Sequence, residues 1–394
     1  MRRPRPSRLV EIGVLGLVTV APHLLGGRGR VNADTKQYLY LDPVDLLRRS
    51  LSVWDARVGG GSVTHQAVGY LWPMGPFYAV TDLLGLPDWV SQQLWIGGLQ
   101  MVAALGALAL FRHLLPARWL QVPAAAVYGL SPFVLGHITG QSGLLVPFAG
   151  LPWLVLLMAK AVESPRSWRW PAAFALVVTT CGSLNGSSLF LALLAPVLWV
   201  PFALAATGRE GIRTGVRVLL RTGLLTLATQ LWWLTAYAVG GAFNLPVLDV
   251  TENVRTTNAT TSAPEVLRGL GYWFFYGRDT EGPWLAGLST PYLTSARLLA
   301  ITFAIPVIAL VAAAGLRWRH RSYFATLVGL GTVISVGAFP LAHSSPAGGW
   351  FEALSRQSDL VLSLRNTQRA GALVALGLAG LLAAGLSALD RRHA

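Results

Sequence analysis

A short polar stretch that follows the first apolar segment of the chain carries both a carboxylate and a cation. It reads Asn32-Ala33-Asp34-Thr35-Lys36 and comes after the apolar run 9–25. A carboxylate can accept a proton from an attacking hydroxyl, and a lysine can stabilise the negative charge of a departing phosphate. Asp34 is therefore a candidate general base and Lys36 a candidate phosphate ligand. The plain alternatives are a solvated loop acid or helix cap for Asp34, and a cation at headgroup level for Lys36.

Two later polar stretches, 241–296 and 342–367, mix arginines and acids with aromatic side chains. Arginines form charge-assisted hydrogen bonds with phosphate, and amphipathic aromatic rings offer an apolar face with a polar edge. This set suits sugar transfer from a lipid-linked phosphate donor. The candidate phosphate ligands are Arg268 and Arg365, and the candidate sugar or acceptor contacts are His65, Gln66, Trp72, Glu252, Trp273 and Tyr276.

These residues also have plain structural explanations. The arginines can be ordinary loop cations, and Glu252 can form a salt bridge within its loop. His65 and Gln66 can belong to a packed turn, and the aromatic residues can anchor the protein at the membrane interface.

Other kinds of reactive site find no support in the sequence. It contains no P-loop, dinucleotide-binding glycine pattern, HExxH or GxSxG. The one cysteine, Cys181, lies in an apolar run, which excludes a disulfide framework and a cysteine-based metal site. His137, His343 and the scattered acids lack the spacing of metal ligands. We therefore expect no metal and no cofactor beyond a lipid-linked sugar donor.

The composition identifies the elements that must position these residues as membrane helices. Of the 394 residues, 53% are hydrophobic and only 12% are charged, against about 25% charged residues in a typical soluble domain. We predict an all-α integral membrane protein with about ten spans in a single domain, 1–394, without a separate soluble domain. The predicted spans are 9–25, 91–111, 119–136, 142–160, 170–184, 187–206, 219–240, 297–316, 322–341 and 368–388.

The placement of charge predicts the orientation of this domain. When the spans alternate across the membrane, eighteen of the 31 lysines and arginines fall in the connections on one side, with only Glu163, Glu210 and Asp390 as acids. This asymmetry is typical of cytoplasmic connections, so we expect a multi-pass plasma-membrane protein with both termini in the cytoplasm. The net charge of +14 then reflects topology and does not indicate nucleic-acid binding. The acids collect in three long outer loops, 26–90, 241–296 and 342–367.

The first outer loop is predicted to contain interfacial helices. Asp42-Pro43 is typical of a helix N-cap followed by its first residue. Apolar residues then recur on one face at Val44, Leu47, Leu51 and Trp54, with Arg48 and Arg49 off that face, so we expect this helix to lie along the membrane surface.

Several sequence blocks resemble one known family, the actinobacterial membrane α-(1→3)-arabinofuranosyltransferases of cell-wall arabinan assembly. The resemblance covers about residues 10–380. It rests on Asp34-Thr35-Lys36, Leu41-Asp42-Pro43, Trp54-Asp55, His65-Gln66-Ala67-Val68-Gly69-Tyr70, Trp72-Pro73-Met74-Gly75-Pro76-Phe77, the stretch 252–257, Leu267-Arg268-Gly269, Trp273, Tyr276 and Arg365-Asn366.

The resemblance implies a GT-C fold and an inverting transfer of arabinofuranose. The implied donor is decaprenyl-phosphoryl-arabinofuranose, and the acceptor is arabinan of arabinogalactan or lipoarabinomannan on the outer membrane face. Asp34 falls where the family has its catalytic aspartate. Members of the family are usually far longer and carry an extracytoplasmic carbohydrate-binding region, so a separate carbohydrate-binding protein is an expected partner.

Two other functions are weighed against this one. The chain could be a non-catalytic or split-gene membrane partner of a cell-wall glycosyltransferase. A lipid or sugar transporter is less favoured, because transporters place ionisable residues near the membrane midplane and often contain repeated halves. Here the acids lie in the outer loops and the two halves do not match.

Overall fold

The structure is a computed structural model that describes residues 7–34, 38–58, 60–63, 67–116, 119–243 and 247–392. These residues are mostly helical. The strands among them form two short antiparallel hairpins, β1 (Trp54–Asp55) with β2 (Ser62–Val63) and β3 (Arg278–Asp279) with β4 (Gly282–Pro283). The predicted all-helical class is therefore confirmed.

The helices follow one another along the chain with short connections. The first ten are α1 (Arg8–Leu25), α2 (Tyr38–Leu41), α3 (Pro43–Ser50), α4 (Met74–Leu83), α5 (Asp88–Leu114), α6 (Gln121–Gly129), α7 (Leu145–Glu163), α8 (Arg169–Gly182), α9 (Gly186–Leu204) and α10 (Gly208–Gly241). The others are α11 (Val247–Val250), α12 (Val254–Thr257), α13 (Ala263–Leu267), α14 (Ala286–Thr294), α15 (Ala296–Gly315), α16 (Arg321–Val336), α17 (Pro346–Ser355), α18 (Asp359–Leu362) and α19 (Gly371–Arg392). Short 3₁₀ helices occur at Ala67–Leu71, Pro132–Val134, Ser142–Leu144, Ala205–Thr207, Trp273–Tyr276 and Thr367–Ala370.

Several of these helices can cross a membrane, so the chain is a multi-pass membrane protein. Six described regions are long and apolar enough: Arg8–Leu25, Asp88–Leu114, Ser142–Glu163, Gly186–Leu204, Ala296–Gly315 and Thr367–Leu389. Helix lies at each of the ten predicted segments, but the count of about ten spans stays a prediction.

Two of the predicted segments differ in length from their helices. Segment 119–136 contains only the nine residues of α6, because Pro132 disfavours helical backbone at Ser131, which is extended with ψ 137°. Segment 219–240 belongs to the 34-residue helix α10, which begins eleven residues earlier, at Gly208.

The predicted start of the first interfacial helix is confirmed. Asp42 is the N-cap of α3, and its Oδ1 accepts a hydrogen bond from Asp45 N–H at 2.9 Å, with Pro43 in the first turn. The buried face differs in detail from the prediction. Leu46 and Ser50 are buried, Leu47 is half-buried, and Leu51 is exposed.

The chain divides into two compact units, which are described separately. The Asp34 unit comprises Pro6–Leu110 and Ile138–Val247, and the Arg365 unit comprises Phe111–His137 and Leu248–Ala394. The expected single domain without a soluble part stays a prediction.

Helix α7 forms the centre of the Asp34 unit. It packs against α8 and α9, and α10 packs against α8. Close approach depends on small residues, since any side chain at Gly150 of α7 would collide with the Cys181 thiol of α8. Helices α1 and α5 also approach each other closely, since a Cβ at Gly97 of α5 would lie 2.9 Å from the Val20 Cα of α1. These contacts fix the end of α1, from which the Asp34 stretch continues.

Helix α19 forms the centre of the Arg365 unit, where α6, α15 and α16 pack against it. Its contact with α16 is very close at Gly377. A Cβ at this position would lie 2.7 Å from Val328 Cγ2 and 2.8 Å from the Phe324 carbonyl oxygen. The Phe324 carbonyl oxygen is part of the backbone of α16, so it cannot move away from this contact unless the helix itself shifts.

We therefore expect Gly377→Ala to lower the free energy of unfolding by about 1–3 kcal/mol through overpacking. Unfolding of the purified protein in detergent measures this change. Gly329→Ala is the matched control, since a Cβ there meets nothing within 4 Å and should be neutral or stabilise the helix by up to about 1 kcal/mol. Equal stability of the two variants would show that α16 and α19 do not pack so closely.

Candidate active site

Asp34 follows α1 in a stretch without helix or strand and is almost completely buried, with 6% of its surface exposed. Ser142, from a distant part of the chain, contacts its carboxylate. The Ser142 N–H donates to Asp34 Oδ1 at 3.0 Å, and the Ser142 hydroxyl donates to Oδ2. Because hydrogen bonds to a charged acceptor are strong and directional, these two contacts fix the orientation of the carboxylate.

Ser142 is itself positioned by two elements. It is the first residue of the 3₁₀ turn Ser142–Leu144, which leads directly into α7, so Asp34 lies at the positive end of this helical segment. The Trp95 Nε1–H of α5 donates to Ser142 Oγ at 3.0 Å. The hydroxyl therefore accepts from Trp95 and donates to Asp34, which aligns all three groups in one direction.

Gln92 fixes the backbone two residues before Asp34. Its Oε1 accepts from Asn32 N–H at 2.7 Å, and its Nε2 donates to the Asn32 carbonyl oxygen at 2.9 Å and to the Tyr40 hydroxyl at 2.8 Å. Gln92 is fully buried. One amide side chain of α5 thus satisfies both backbone groups of a residue that belongs to no helix or strand.

Replacing Gln92 by leucine should therefore destabilise the protein by about 2–4 kcal/mol, since the three hydrogen bonds of this buried amide would be lost at about 0.5–1.5 kcal/mol each. Thermal unfolding measures the loss. Gln100→Leu, also on α5, is a comparison in which only the His23 side chain loses its hydrogen bond. If Gln92→Leu is no less stable than Gln100→Leu, Gln92 does not anchor the Asp34 segment.

Aromatic side chains lie close to the hydrogen-bonded residues around Asp34. The Tyr40 ring meets the Tyr78 ring edge-on at a centroid distance of 5.2 Å, and Phe77 lies 5.2 Å from the Trp95 ring. Burial raises the pKa of Tyr40 well above its ordinary value, and the negative charge of Asp34 raises it further. The Tyr40 phenol is therefore neutral at physiological pH.

Trp72 also belongs to the Asp34 unit. It is 47% exposed, and its Nε1–H donates to Thr180 Oγ1 at 3.2 Å. Its backbone is fixed more firmly, since the Ser183 hydroxyl contacts the Trp72 carbonyl oxygen at 2.7 Å and the Gly69 carbonyl oxygen at 3.0 Å. The ring therefore projects from an anchored turn, and its predicted sugar contact stays a prediction.

Glu252 and Arg365 come together in the Arg365 unit. The Arg365 guanidinium is largely buried; its Nη2 donates to Thr251 Oγ1 at 2.8 Å and lies 3.7 Å from Glu252 Oε1. Asn366 Nδ2 donates to the same glutamate oxygen at 3.2 Å. Arg365 Nε is buried and has no hydrogen-bond partner among the described residues. One N–H donor of this guanidinium is therefore unused within the described residues.

Arg268 and Tyr276 also come together, around a residue that the sequence analysis did not single out. Arg268 Nη1 lies 2.6 Å from Glu265 Oε1, and the Tyr276 hydroxyl donates to Glu265 Oε2. Arg268 is 3% exposed and also donates to the Tyr292 carbonyl oxygen at 2.7 Å and to Thr302 Oγ1 at 2.9 Å. These contacts serve packing, and the predicted phosphate and sugar contacts of the two residues stay predictions.

Trp273 belongs to an aromatic cluster. Its ring lies 5.7 Å from Phe274, 6.0 Å from Tyr272 and 6.2 Å from Trp284, centroid to centroid. Trp273 is half-buried, so one part of the ring packs and another part faces outward. The cluster is suited to an interface or to a sugar.

The remaining candidates lie outside the described residues. These are Lys36, His65 and Gln66, so their predicted roles stay predictions. Within the described ranges, no three His, Cys, Asp or Glu side chains lie together as metal ligands; the expectation of a metal-independent site also stays a prediction.

Sequence reasoning missed Ser142, Gln92 and Trp95. One signal was present, since Ser142 opens a predicted span and serine is common where helices begin. Their relation to Asp34 had no local signal, because Ser142 lies 108 positions further along the chain.

Comparison with known proteins places the chain in a family. It is 32% identical over 390 residues to an α-(1→3)-arabinofuranosyltransferase of Mycobacterium tuberculosis, covering 94% of this chain and 26% of that protein. It is also 32% identical over 293 residues to one from Mycolicibacterium smegmatis, covering 73% of this chain and 19% of the relative. The chain thus spans at most about a quarter of the length of these relatives.

A solved structure and a family model agree with these relatives. The cryo-EM structure of the arabinofuranosyltransferase AftD from mycobacteria superimposes with a TM-score of 0.73 at 24% identity, covering 98% of this chain and 24% of that chain. This structural similarity shows that the chain has the same fold as the matched part of that structure. The family model for the N-terminal GT-C domain of α-(1→3)-arabinofuranosyltransferases matches residues 18–394. The chain therefore belongs to the α-(1→3)-arabinofuranosyltransferase family, as its N-terminal GT-C domain.

Proposed function

We propose that the chain is an inverting glycosyltransferase that moves arabinofuranose from decaprenyl-phosphoryl-arabinofuranose to cell-wall arabinan. In this reaction Asp34 takes the proton of an acceptor hydroxyl. The acceptor oxygen attacks the anomeric carbon from the face opposite the phosphate, a new glycosidic bond forms, and decaprenyl phosphate leaves with the electron pair of the broken bond. Neither a metal nor a second cofactor takes part.

The observation that carries the proposal is the fixed carboxylate of Asp34 in a chain of this family. Both oxygens are oriented by Ser142, and the backbone before them is held by Gln92. Because catalytic groups must stay close to one productive geometry, they are commonly supported by such outer contacts. The burial of Asp34, which is 6% exposed, argues against the plain alternative of a solvated loop acid.

Arg365 is the proposed ligand of the donor phosphate. Its buried guanidinium carries an Nε donor without a partner among the described residues, and charge-assisted hydrogen bonds to phosphate oxygens stabilise the leaving group. Glu252 holds the guanidinium in place at 3.7 Å. Lys36, two residues after Asp34 in the sequence, is a second proposed ligand.

The site faces the outside of the cell in this proposal, and both termini are cytoplasmic. The support is the charge asymmetry of the connections, since eighteen basic and three acidic residues fall on one predicted side. The site would meet its acceptor, the arabinan of arabinogalactan or lipoarabinomannan, on the side of the membrane opposite these basic connections.

A transfer assay tests the function. The purified chain is reconstituted in liposomes with radiolabelled decaprenyl-phosphoryl-arabinofuranose and a synthetic arabinan acceptor, and the labelled product is separated from the lipid. We expect transfer with inversion at the anomeric carbon. Decaprenyl-phosphoryl-mannose serves as the control donor and should give no product.

Absence of transfer by the wild-type chain would contradict the proposal and favour the second reading, a non-catalytic or split-gene partner of a cell-wall glycosyltransferase. A longer relative assayed in the same liposomes shows that donor and acceptor are competent. Transfer that appears only when a separate carbohydrate-binding protein is added would instead show that acceptor presentation is divided between two chains.

A further inference from the structure

The first eleven residues of α10 precede its predicted membrane span. The helix runs from Gly208 to Gly241, whereas the apolar segment starts near residue 219. At 1.5 Å per residue the whole helix is about 50 Å long, against about 30 Å for the hydrocarbon core of a bilayer. The connection before this span is therefore a rigid helical surface.

Arginines occur at every fourth position along this extension and into the start of the span: Arg209, Arg213, Arg217 and Arg221. Residues four apart are neighbours on a helix surface, so the four side chains form one row. Arg209, Arg213 and Arg217 are exposed. Like charges in such a row repel one another, and the row is favourable only where negative charge approaches it.

Packing against α9 sets the direction in which the row faces. Gly211 and Gly215 are buried, and a Cβ at Gly215 would lie 3.0 Å from Val200 Cγ1 of α9. Val218 and Thr222 continue this buried stripe. Because the glycine side of α10 is pressed against α9, the arginine row is held on the outward side.

Large aliphatic side chains lie beside the arginines on the same outward side. Ile212 is 68% exposed, Val216 51% and Leu220 68%. Each follows an arginine by three positions, so each aliphatic side chain neighbours a guanidinium. A contiguous surface that is both apolar and cationic is poorly suited to water.

Arg221 contacts the connection between α7 and α8. Its Nη1 donates to the Pro165 carbonyl oxygen at 2.9 Å, and its guanidinium lies 4.7 Å from the centre of the Trp168 ring. Arg213 and Arg217 form no salt bridge with residues in the described ranges. Their charges thus remain available to a ligand.

We propose that this surface binds anionic phospholipids of the cytoplasmic leaflet. We define it as the α10 basic face: Arg209, Arg213 and Arg217 with Ile212, Val216 and Leu220. A phospholipid supplies both partners in one molecule, since its phosphate meets the guanidinium row and its acyl chains cover the aliphatic row. The proposal rests on the predicted topology and does not depend on transfer activity.

Equilibrium binding of a fluorescent phosphatidylglycerol analogue tests the proposal. The full chain is purified in neutral detergent, and a phosphatidylcholine analogue is the reference lipid. In Arg213→Gln/Arg217→Gln, we expect the preference for phosphatidylglycerol to fall by about 10- to 30-fold, since each arginine near an anionic surface is worth about fivefold. Binding of phosphatidylcholine should not change.

The matched control is Arg317→Gln/Arg319→Gln. It removes the same charge from two exposed arginines on the same predicted side and should leave the lipid preference intact. An undiminished preference in the first double variant, or an equal loss in both, would overturn the proposal. So would competition by polyglutamate as effective as that by phosphatidylglycerol, because the surface would then bind acidic protein. Unchanged thermal unfolding of both variants confirms that they fold.

Discussion

Replacing Asp34 by asparagine is expected to slow arabinofuranosyl transfer by about 10²- to 10⁴-fold, the usual contribution of a general base. Asparagine has the shape of aspartate but cannot take up the proton of the acceptor hydroxyl. Its amide oxygen can still accept from Ser142 N–H, and its amide nitrogen can donate to the Ser142 hydroxyl. The variant should therefore fold with unchanged geometry and lose only the chemical step.

Asp82→Asn is the control for this experiment. Asp82 is an exposed acid near the end of α4, so its replacement removes the same charge from the same unit without touching Asp34. It should transfer at the wild-type rate. Equal slowing of both variants would point to a general effect of charge and would exclude a special role for Asp34.

Ser142→Ala should reduce transfer by about 10- to 100-fold, the second largest effect. It removes the hydroxyl that donates to Asp34 Oδ2 and accepts from Trp95 Nε1–H. A hydrogen bond to a charged group is worth about 1.5–3 kcal/mol. The carboxylate would keep its bond to the Ser142 N–H but could rotate about it. Ser142 acts through Asp34 and is a positioning residue.

Kinetics can distinguish positioning from a general loss of stability. In Ser142→Ala we expect kcat to fall with little change in the KM for the donor, since the donor ligands are not touched. Ser188→Ala is the matched control, a buried serine of the same unit whose Oγ has no hydrogen-bond partner in the described parts of the chain. If both variants lose activity in proportion to their stability, Ser142 does not orient the base.

Features that depend on neighbouring residues were predictable from the sequence. Asp42 and Pro43 are adjacent, and their preference for the start of a helix is local, so the N-cap of α3 was predicted correctly. Pro132 carries an equally local signal that ends α6 early, but the apolar run through 136 obscured it. The N-terminal extension of α10 was obscured by its arginines, which lower hydropathy without opposing helix formation.

Features that depend on distant residues were not predictable. Asp34 was identified as a candidate base, but its contact with Ser142 bridges 108 positions and has no periodic signature. Arg268 was predicted to be a phosphate ligand, with an ordinary loop cation as the alternative, and its ion pair with Glu265 at 2.6 Å was not predicted. The spacing of three positions between Glu265 and Arg268 was visible in the sequence. However, α13 is only five residues long, and a helix this short has no apolar periodicity from which it could be predicted.

The central claim, that Asp34 is the base, is tested most directly by measuring donor binding and transfer on one preparation of the Asp34→Asn protein. Labelled decaprenyl-phosphoryl-arabinofuranose is bound to the variant in nanodiscs, and the arabinan acceptor is then added. We predict that the variant binds the donor within about threefold of the wild-type Kd and that transfer of the bound sugar falls by at least about a hundredfold. Transfer at the wild-type rate by the donor-loaded variant would contradict the claim.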